Sequence, residues 1–183
     1  MKFTATSVEG VWIIEPERRS DDRGYFARTY CSEEFAAHGL NPAVVQCNIS
    51  FNVRRGTLRG LHSQLPPWEE AKLVRCSRGA VFDVALDLRP DSSTYLRHAT
   101  ATLTCDNGCM LYIPEGVYHG FLSLDDNSEV HYQMSQYYHP ESGVGVRYND
   151  PAFDIRWPEA VRVISERDRT FADYTPQPFR AKR

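Results

Sequence analysis

Two stretches of the chain gather side chains able to do acid–base or ionic chemistry. The first, Gly56-Thr57-Leu58-Arg59-Gly60-Leu61-His62-Ser63-Gln64, sets a guanidinium close to an imidazole, and Lys72 follows after the break at Pro66-Pro67. The second, Ile113-Pro114-Glu115-Gly116-Val117-Tyr118-His119-Gly120-Phe121, contributes another imidazole. Imidazole exchanges protons near neutral pH, and an ammonium is a compact charge suited to holding an anion. The same residues also fit plain structure, because a strand histidine is commonly a hydrogen-bonded part of the core and a lysine opening a strand is commonly solvated.

The elements that must position these groups are mostly strands. Alternation over Val81-Phe82-Asp83-Val84-Ala85-Leu86-Asp87-Leu88 sets Phe82, Val84, Leu86 and Leu88 on one face and Asp83, Ala85 and Asp87 on the other. Lys72–Arg75, Arg97–Thr104, Met110–Ile113 and Glu129–Tyr138 are further strands, with turns at Arg78-Gly79, Asp106-Asn107-Gly108 and Asp125-Asp126-Asn127. Strict alternation sends Arg59 and His62 to opposite faces, unless Gly60 allows a bulge that turns both into one cavity. Asp83 and Asp87 share a face, as do Val130, Tyr132 and Met134; polar residues on such a face are site candidates if it lines a barrel mouth, and ordinary surface if it meets water. Helices are few. Ser32 to His38 reads as one, with Ser32 as N-cap and Gly39 as its stop, and Ser165 with Asp168 makes a capping pattern for a second. Many short strands at close spacing indicate a sandwich or barrel, with a jelly roll as the closed form.

Composition bounds the function. The 183 residues suit one domain with a real core, spanning residues 1–183. No run approaches the roughly 18 apolar residues of a membrane helix. The start, Met1-Lys2-Phe3-Thr4, lacks the apolar core of a secretion signal, so a cytoplasmic location is expected. The net charge of −3 argues against a general nucleic-acid or anionic-membrane binder. Five cysteines without a signal read as reduced thiols, and Cys105 and Cys109 lack the second pair a zinc site needs. The basic residues are unevenly divided: of 21, only Lys2, Lys72 and Lys182 are lysine, so Lys72 is the one lysine in the body of the chain.

Pro114-x-Gly116-x-x-His119 resembles the second motif of the cupin superfamily, with Gly60–His62 where the first would fall. His62-Ser63-Gln64 replaces the His-x-His of metal-binding cupins, leaving too few imidazoles for a transition metal. Across nearly its whole length the chain resembles the dTDP-4-dehydrorhamnose 3,5-epimerase family. The matching blocks are Asp22-Arg23-Gly24-Tyr25-Phe26, Gln46-Cys47-Asn48-Ile49-Ser50, Leu58–Gln64, Lys72–Arg75, Gly79–Val84, Ile113–Gly116 with His119-Gly120-Phe121, and Trp157-Pro158.

The resemblance implies a mainly β protein, a cupin-type double-stranded jelly roll with a few short helices, without metal or cofactor. It also implies a homodimer whose N-terminal segment reaches the partner's site. The substrate it implies is a nucleoside-diphosphate 4-keto-6-deoxysugar, in deoxysugar and polysaccharide biosynthesis such as that of rhamnose. His62 matches the base that takes a proton beside the C4 ketone, Asp168 its acidic partner, Tyr132 the acid on the opposite ring face, and Lys72 the cation beside the ketone oxygen. Arg23 and Arg59 match diphosphate contacts, Gln46 and Asn48 nucleotide contacts, and His119 a sugar or phosphate contact. Tyr138 matches the aromatic stacked on the base, with Tyr137 adjacent, and Phe26 the ring that packs near the base from the partner. The chain departs from the family pattern at Arg28, where Glu is common, at Gly143, which ends Pro140-Glu141-Ser142-Gly143 in place of Glu, and at Arg167, where Lys is usual. These departures leave the nucleotide open among dTDP, CDP, UDP and GDP. The alternatives are a non-catalytic sugar-nucleotide-binding cupin and a metal-dependent cupin enzyme.

Overall fold

The computed structural model describes residues 1–175; Lys182 lies outside them. In chain order the first elements are β1 (Lys2–Ala5), β2 (Trp12–Glu15), β3 (Arg19–Asp21), β4 (Gly24–Phe26), α1 (Ser32–Ala37), β5 (Gln46–Asn52), β6 (Thr57–Gln64) and β7 (Lys72–Arg78). There follow β8 (Ala80–Asp87), β9 (His98–Thr104), β10 (Met110–Ile113), β11 (Val117–Ser123), β12 (Ser128–Met134), β13 (Gly143–Gly145), β14 (Val163–Ile164) and α2 (Glu166–Arg169). One sheet runs β1-β2-β10-β7-β12-β5 and the other β13-β6-β11-β8-β9, with β14 beside β6 and β3–β4 a separate hairpin. Apart from the β14–β6 pair the ladders are antiparallel, and the two sheets pack face to face as a jelly roll.

The core is built in three layers by alternation along the strands. Between the sheets lie Val74, Cys76, Val81, Ala85, Leu111, Phe121 and Val130. Outside the first sheet, α1 drops Phe35 onto Leu73, Met110 and Tyr112. Outside the second, Val84, Leu86 and Leu88 are covered by Phe153, Trp157 and Val146. Each large apolar side chain buried this way contributes about 1.5–3 kcal/mol. The expected face pattern of β8 therefore holds, and both of its faces are buried, the carboxylate face pointing between the sheets.

Several boundaries differ from the sequence reading. The first helix ends at Ala37, and its N-cap is Cys31, which makes no side-chain cap bond, so Ser32 already sits inside the first turn. The strand expected to reach Tyr138 ends at Met134, where the chain peels away from β5 and β7. The second helix starts as expected: the Asp168 amide donates to Ser165 Oγ at 3.1 Å. All five cysteines are free, and burial pushes the Cys76 thiol up to about 11. Among the described residues no helix is long and apolar enough to cross a membrane.

Candidate active site

The site lies at the end of the sandwich where β5 and β7 begin and β6 and β12 finish. Register sets it: Met134 of β12 stands opposite both Gln46 and Lys72, while His62 of β6 stands opposite His119 and Gly145. A cavity of about 300 Å³ opens there, lined by Gln46, Asn48, His62, Gln64, Glu70, Lys72, Tyr132, Met134, Tyr138, Gly143 and Arg167 among others. A second hollow of about 120 Å³ adjoins it through shared His62, Lys72 and Tyr132, and adds Ser50, Arg59, His119 and Phe121.

Gly60 decides whether Arg59 and His62 can meet. Leu61 packs into the outer cluster and His62 faces between the sheets, so continued alternation would point Arg59 outward. Gly60 instead adopts φ +121°, and the β6–β11 register shifts between His119 and Phe121. Both side chains consequently line one hollow. A Cβ on Gly60 would stand 2.5 Å from Gly120 Cα, so only glycine permits this approach.

The imidazole of His62 is oriented by a buried carboxylate. His62 Nε2 lies 2.7 Å from Asp168 Oδ1, and the Gly60 amide donates to Asp168 Oδ2 at 3.3 Å. Burial pushes the Asp168 carboxyl up, but the hydrogen bonds from His62, Gly60 and its Ser165 cap outweigh this and hold it below the usual range. An ionised carboxylate can only accept, so His62 donates from Nε2 and Nδ1 is left as the basic nitrogen.

The opposite sheet supplies a phenol, Tyr132, and an ammonium, Lys72. Burial raises the Tyr132 phenol above its ordinary value, Arg59 counteracts this, and Glu70 and Tyr138 add to the rise. Lys72 Nζ lies 2.7 Å from Glu70 Oε1, with side chains only 10% and 3% exposed. Arg59 is aimed by Asn52, whose Oδ1 accepts from Nε at 2.9 Å. Gln46 and Asn48 bond to each other at 3.2 Å, and Gln46 Oε1 accepts from the Tyr138 amide at 3.2 Å, which ties that tyrosine to the rim.

Of the two carboxylates on β8, one belongs to the site. Asp83 bonds through Oδ1 to His119 Nε2, and its Oδ2 is buried without a partner among the described residues. Asp87 is saturated by Arg89, Ser92 and Thr94 and braces their loop. Periodicity could not separate them, because the difference lies in that loop.

The structure thus brings together His62, Lys72, Tyr132, Asp168, Arg59, Gln46, Asn48, His119 and Tyr138. Arg23 and Phe26 stand apart on the β3–β4 hairpin. Arg23 is ion-paired with Asp21, and Phe26 lines a separate cleft of about 250 Å³ with Arg28 and Glu34. Glu70 escaped the sequence reading. Its only signal there is its place two residues before Lys72, just ahead of the strand that Lys72 opens.

This arrangement can abstract a proton from carbon on one side of a bound molecule and donate one from the other, beside a fixed positive charge. The family model described as dTDP-4-dehydrorhamnose 3,5-epimerase matches residues 5–175. The chain belongs to the dTDP-4-dehydrorhamnose 3,5-epimerase family. A dTDP-4-dehydrorhamnose 3,5-epimerase of Methanothermobacter thermautotrophicus is 44% identical over 180 residues, 97% of this chain and 96% of that protein. The crystal structure of dTDP-4-dehydrorhamnose 3,5-epimerase from Elizabethkingia anophelis superposes with a TM-score of 0.91 at 38% identity, covering 95% of this chain and 96% of the other. A dTDP-4-dehydrorhamnose 3-epimerase of Streptomyces niveus is 39% identical, over 92% of this chain and 82% of its own length. The jelly roll is accordingly the cupin type of this epimerase family, and the chain is an isomerase.

Proposed function

We propose that the chain inverts C3, C5 or both in a dTDP-linked 4-keto-6-deoxyhexose, with His62 as base, Tyr132 as acid and Lys72 as the cation at the ketone oxygen. The observation that carries this reading is the opposition across one cavity: His62, held from behind by Asp168 of α2, comes from one sheet, Tyr132 and Lys72 from the other.

Removing a hydrogen next to a ketone sends the C–H electron pair into an enolate, with negative charge on O4. His62 Nδ1 takes the proton, and Asp168 stabilises the resulting imidazolium. Lys72 presents its charge where the oxygen becomes anionic, an interaction stronger in the transition state than before it. Tyr132 then gives its phenolic proton to the carbon from the opposite face, and the configuration inverts. His62 returns its proton to water and Tyr132 regains one, so each turnover carries solvent hydrogen into the product. The raised Tyr132 pKa supports its role, because it keeps the phenol protonated.

Arg59, with Arg167 at the rim, supplies guanidinium for the diphosphate, and Gln46, Asn48 and Tyr138 are placed for the nucleoside. A homodimer accounts for Arg23 and Phe26. Phe26 is 70% exposed, and the outer face of edge strand β5 leaves Ile49 and Phe51 in solvent beside Val53. Such a face suits burial against a second copy, which would carry the hairpin into the neighbouring cavity. Cytoplasmic work on sugar nucleotides for rhamnose or related deoxysugars fits this assignment.

The test is solvent-deuterium uptake at C3 and C5 of dTDP-, CDP-, UDP- and GDP-linked 4-keto-6-deoxyhexoses. The proposal expects rapid uptake with the dTDP sugar. Absence of exchange with all four would sink it, and preference for another nucleotide would trace to Arg28, Gly143 and Arg167.

A further inference from the structure

A lysine has a flexible four-carbon stem, so a catalytic ammonium must be restrained to act at one atom. Among the described residues the one ion pair Lys72 makes is with Glu70. Glu70 sits on a short segment fastened at both ends. Gln64 Nε2 donates to the Trp68 carbonyl at 2.8 Å, and Trp68 stacks on His139 with ring centroids 3.8 Å apart. The Ala71 amide donates to Ser135 Oγ at 2.8 Å, and the Ser135 amide returns a bond to the Ala71 carbonyl at 3.0 Å. A carboxylate on so rigid a mount fixes whatever it binds.

For stability the arrangement is a poor bargain. Glu70 is nearly buried, and its second oxygen, Oε2, is buried with no partner among the described residues. A buried ion pair with an unsatisfied oxygen recovers little of its desolvation cost, and an apolar pair of similar volume would hold the fold at least as well. The pair stands in the wall of the catalytic cavity, in line with Tyr132 on the neighbouring strand. Its position, rather than its energy, is what requires explanation.

We infer that Glu70 is a positioning residue for the epimerisation: its Oε1 clamps the Lys72 ammonium at the point in the cavity wall where the enolate oxygen forms. This rests on the role proposed for Lys72. The clamp requires reach, an oxygen acceptor at the full length of a glutamate side chain. Charge is secondary, since the glutamate's negative charge opposes a nearby enolate. Two variants separate the requirements. Glu70→Gln preserves reach and removes charge, whereas Glu70→Asp preserves charge and withdraws the oxygen by one methylene.

Both variants, Lys72→Ala and the Lys72→Ala/Glu70→Asp double variant are compared with wild type by steady-state epimerisation and deuterium uptake. Glu70→Asp is expected to lose about tenfold to a hundredfold in kcat with KM changed less than about threefold, because a displacement near 1 Å is felt mainly in the transition state. Glu70→Gln is expected to stay within about threefold of wild type. The double variant should be no slower than Lys72→Ala, since the clamp then has nothing to hold. The inference is overturned by a Glu70→Asp variant as fast as wild type, by a Glu70→Gln variant slower than Glu70→Asp, or by an aspartate penalty undiminished without Lys72. A Lys72→Ala enzyme with wild-type kcat would instead overturn the role of Lys72 itself, so the two failures are distinguishable.

Discussion

Replacing Gly60 by alanine tests how the fold creates the site. The added Cβ would lie 2.5 Å from Gly120 Cα and 2.8 Å from the His119 carbonyl oxygen, both backbone atoms of β11. Comfortable carbon–carbon contact begins near about 3.5 Å, so β6 and β11 must part by roughly 1 Å. The φ of +121° adds backbone strain for any residue with a Cβ. Strain of about 1–3 kcal/mol and overpacking of similar size together predict a loss of about 2–6 kcal/mol. At a urea slope of about 2 kcal/mol/M, the unfolding midpoint falls by about 1–3 M. His62 is two residues along the same strand, so its imidazole moves against Tyr132 and Lys72 across the cavity. A shift of about 1 Å there costs up to about a hundredfold in kcat. Urea titration followed by fluorescence, together with epimerisation rates well below the midpoint, measures both effects. An alanine variant with an unchanged midpoint and activity within threefold would refute the claim that this close approach builds the site.

Other outcomes follow from the same geometry. Asp168→Asn should lower kcat by about 10²–10⁴-fold, because the amide neither charge-stabilises the imidazolium nor enforces the Nε2–H tautomer. Asp168 also contributes pH-dependent stability. Its folded pKa lies below the ordinary value, so the contribution is full above the unfolded pKa near about 3.9 and fades as pH falls through the folded value. The gap in urea midpoint between wild type and Asp168→Asn should therefore narrow between pH 5 and strongly acidic conditions; a constant gap would contradict the assigned ionisation. Tyr132→Phe should still exchange substrate hydrogen for deuterium but lose inversion, which chiral product analysis reads directly. Because burial raises the Tyr132 phenol, activity limited by that group should persist beyond about pH 10, the ordinary phenol range.

Much of this site was legible in the residues, and the gaps have physical causes. Alternation in β8 disclosed both of its faces, because a strand buried on two sides keeps its period wherever it packs. The convergence of Arg59 and His62 was visible only as an option, since it depends on a glycine pressed against Gly120 of another strand. Ser165 announced its helix because a cap is a local bond, whereas Ser32 misled: the chain enters that helix one residue earlier, at Cys31. Glu70 was hidden by its neighbour Glu69, a charged pair that reads as solvated surface until the fastened loop turns one carboxylate onto Lys72. Arg23 and Phe26 were nameable through family resemblance, yet among the described residues Arg23 pairs with Asp21 and Phe26 lines a separate cleft, so their place in the cavity rests on the proposed second copy.

In the proposed mechanism everything turns on His62 removing the carbon-bound proton. Its most direct test is position-resolved deuterium uptake from solvent by wild type and His62→Ala, with nucleotide binding measured in parallel. Wild type is expected to exchange at each carbon it inverts, and the variant at neither C3 nor C5, with nucleotide affinity largely kept because the base acts on substrate already bound. Undiminished exchange in His62→Ala would contradict it.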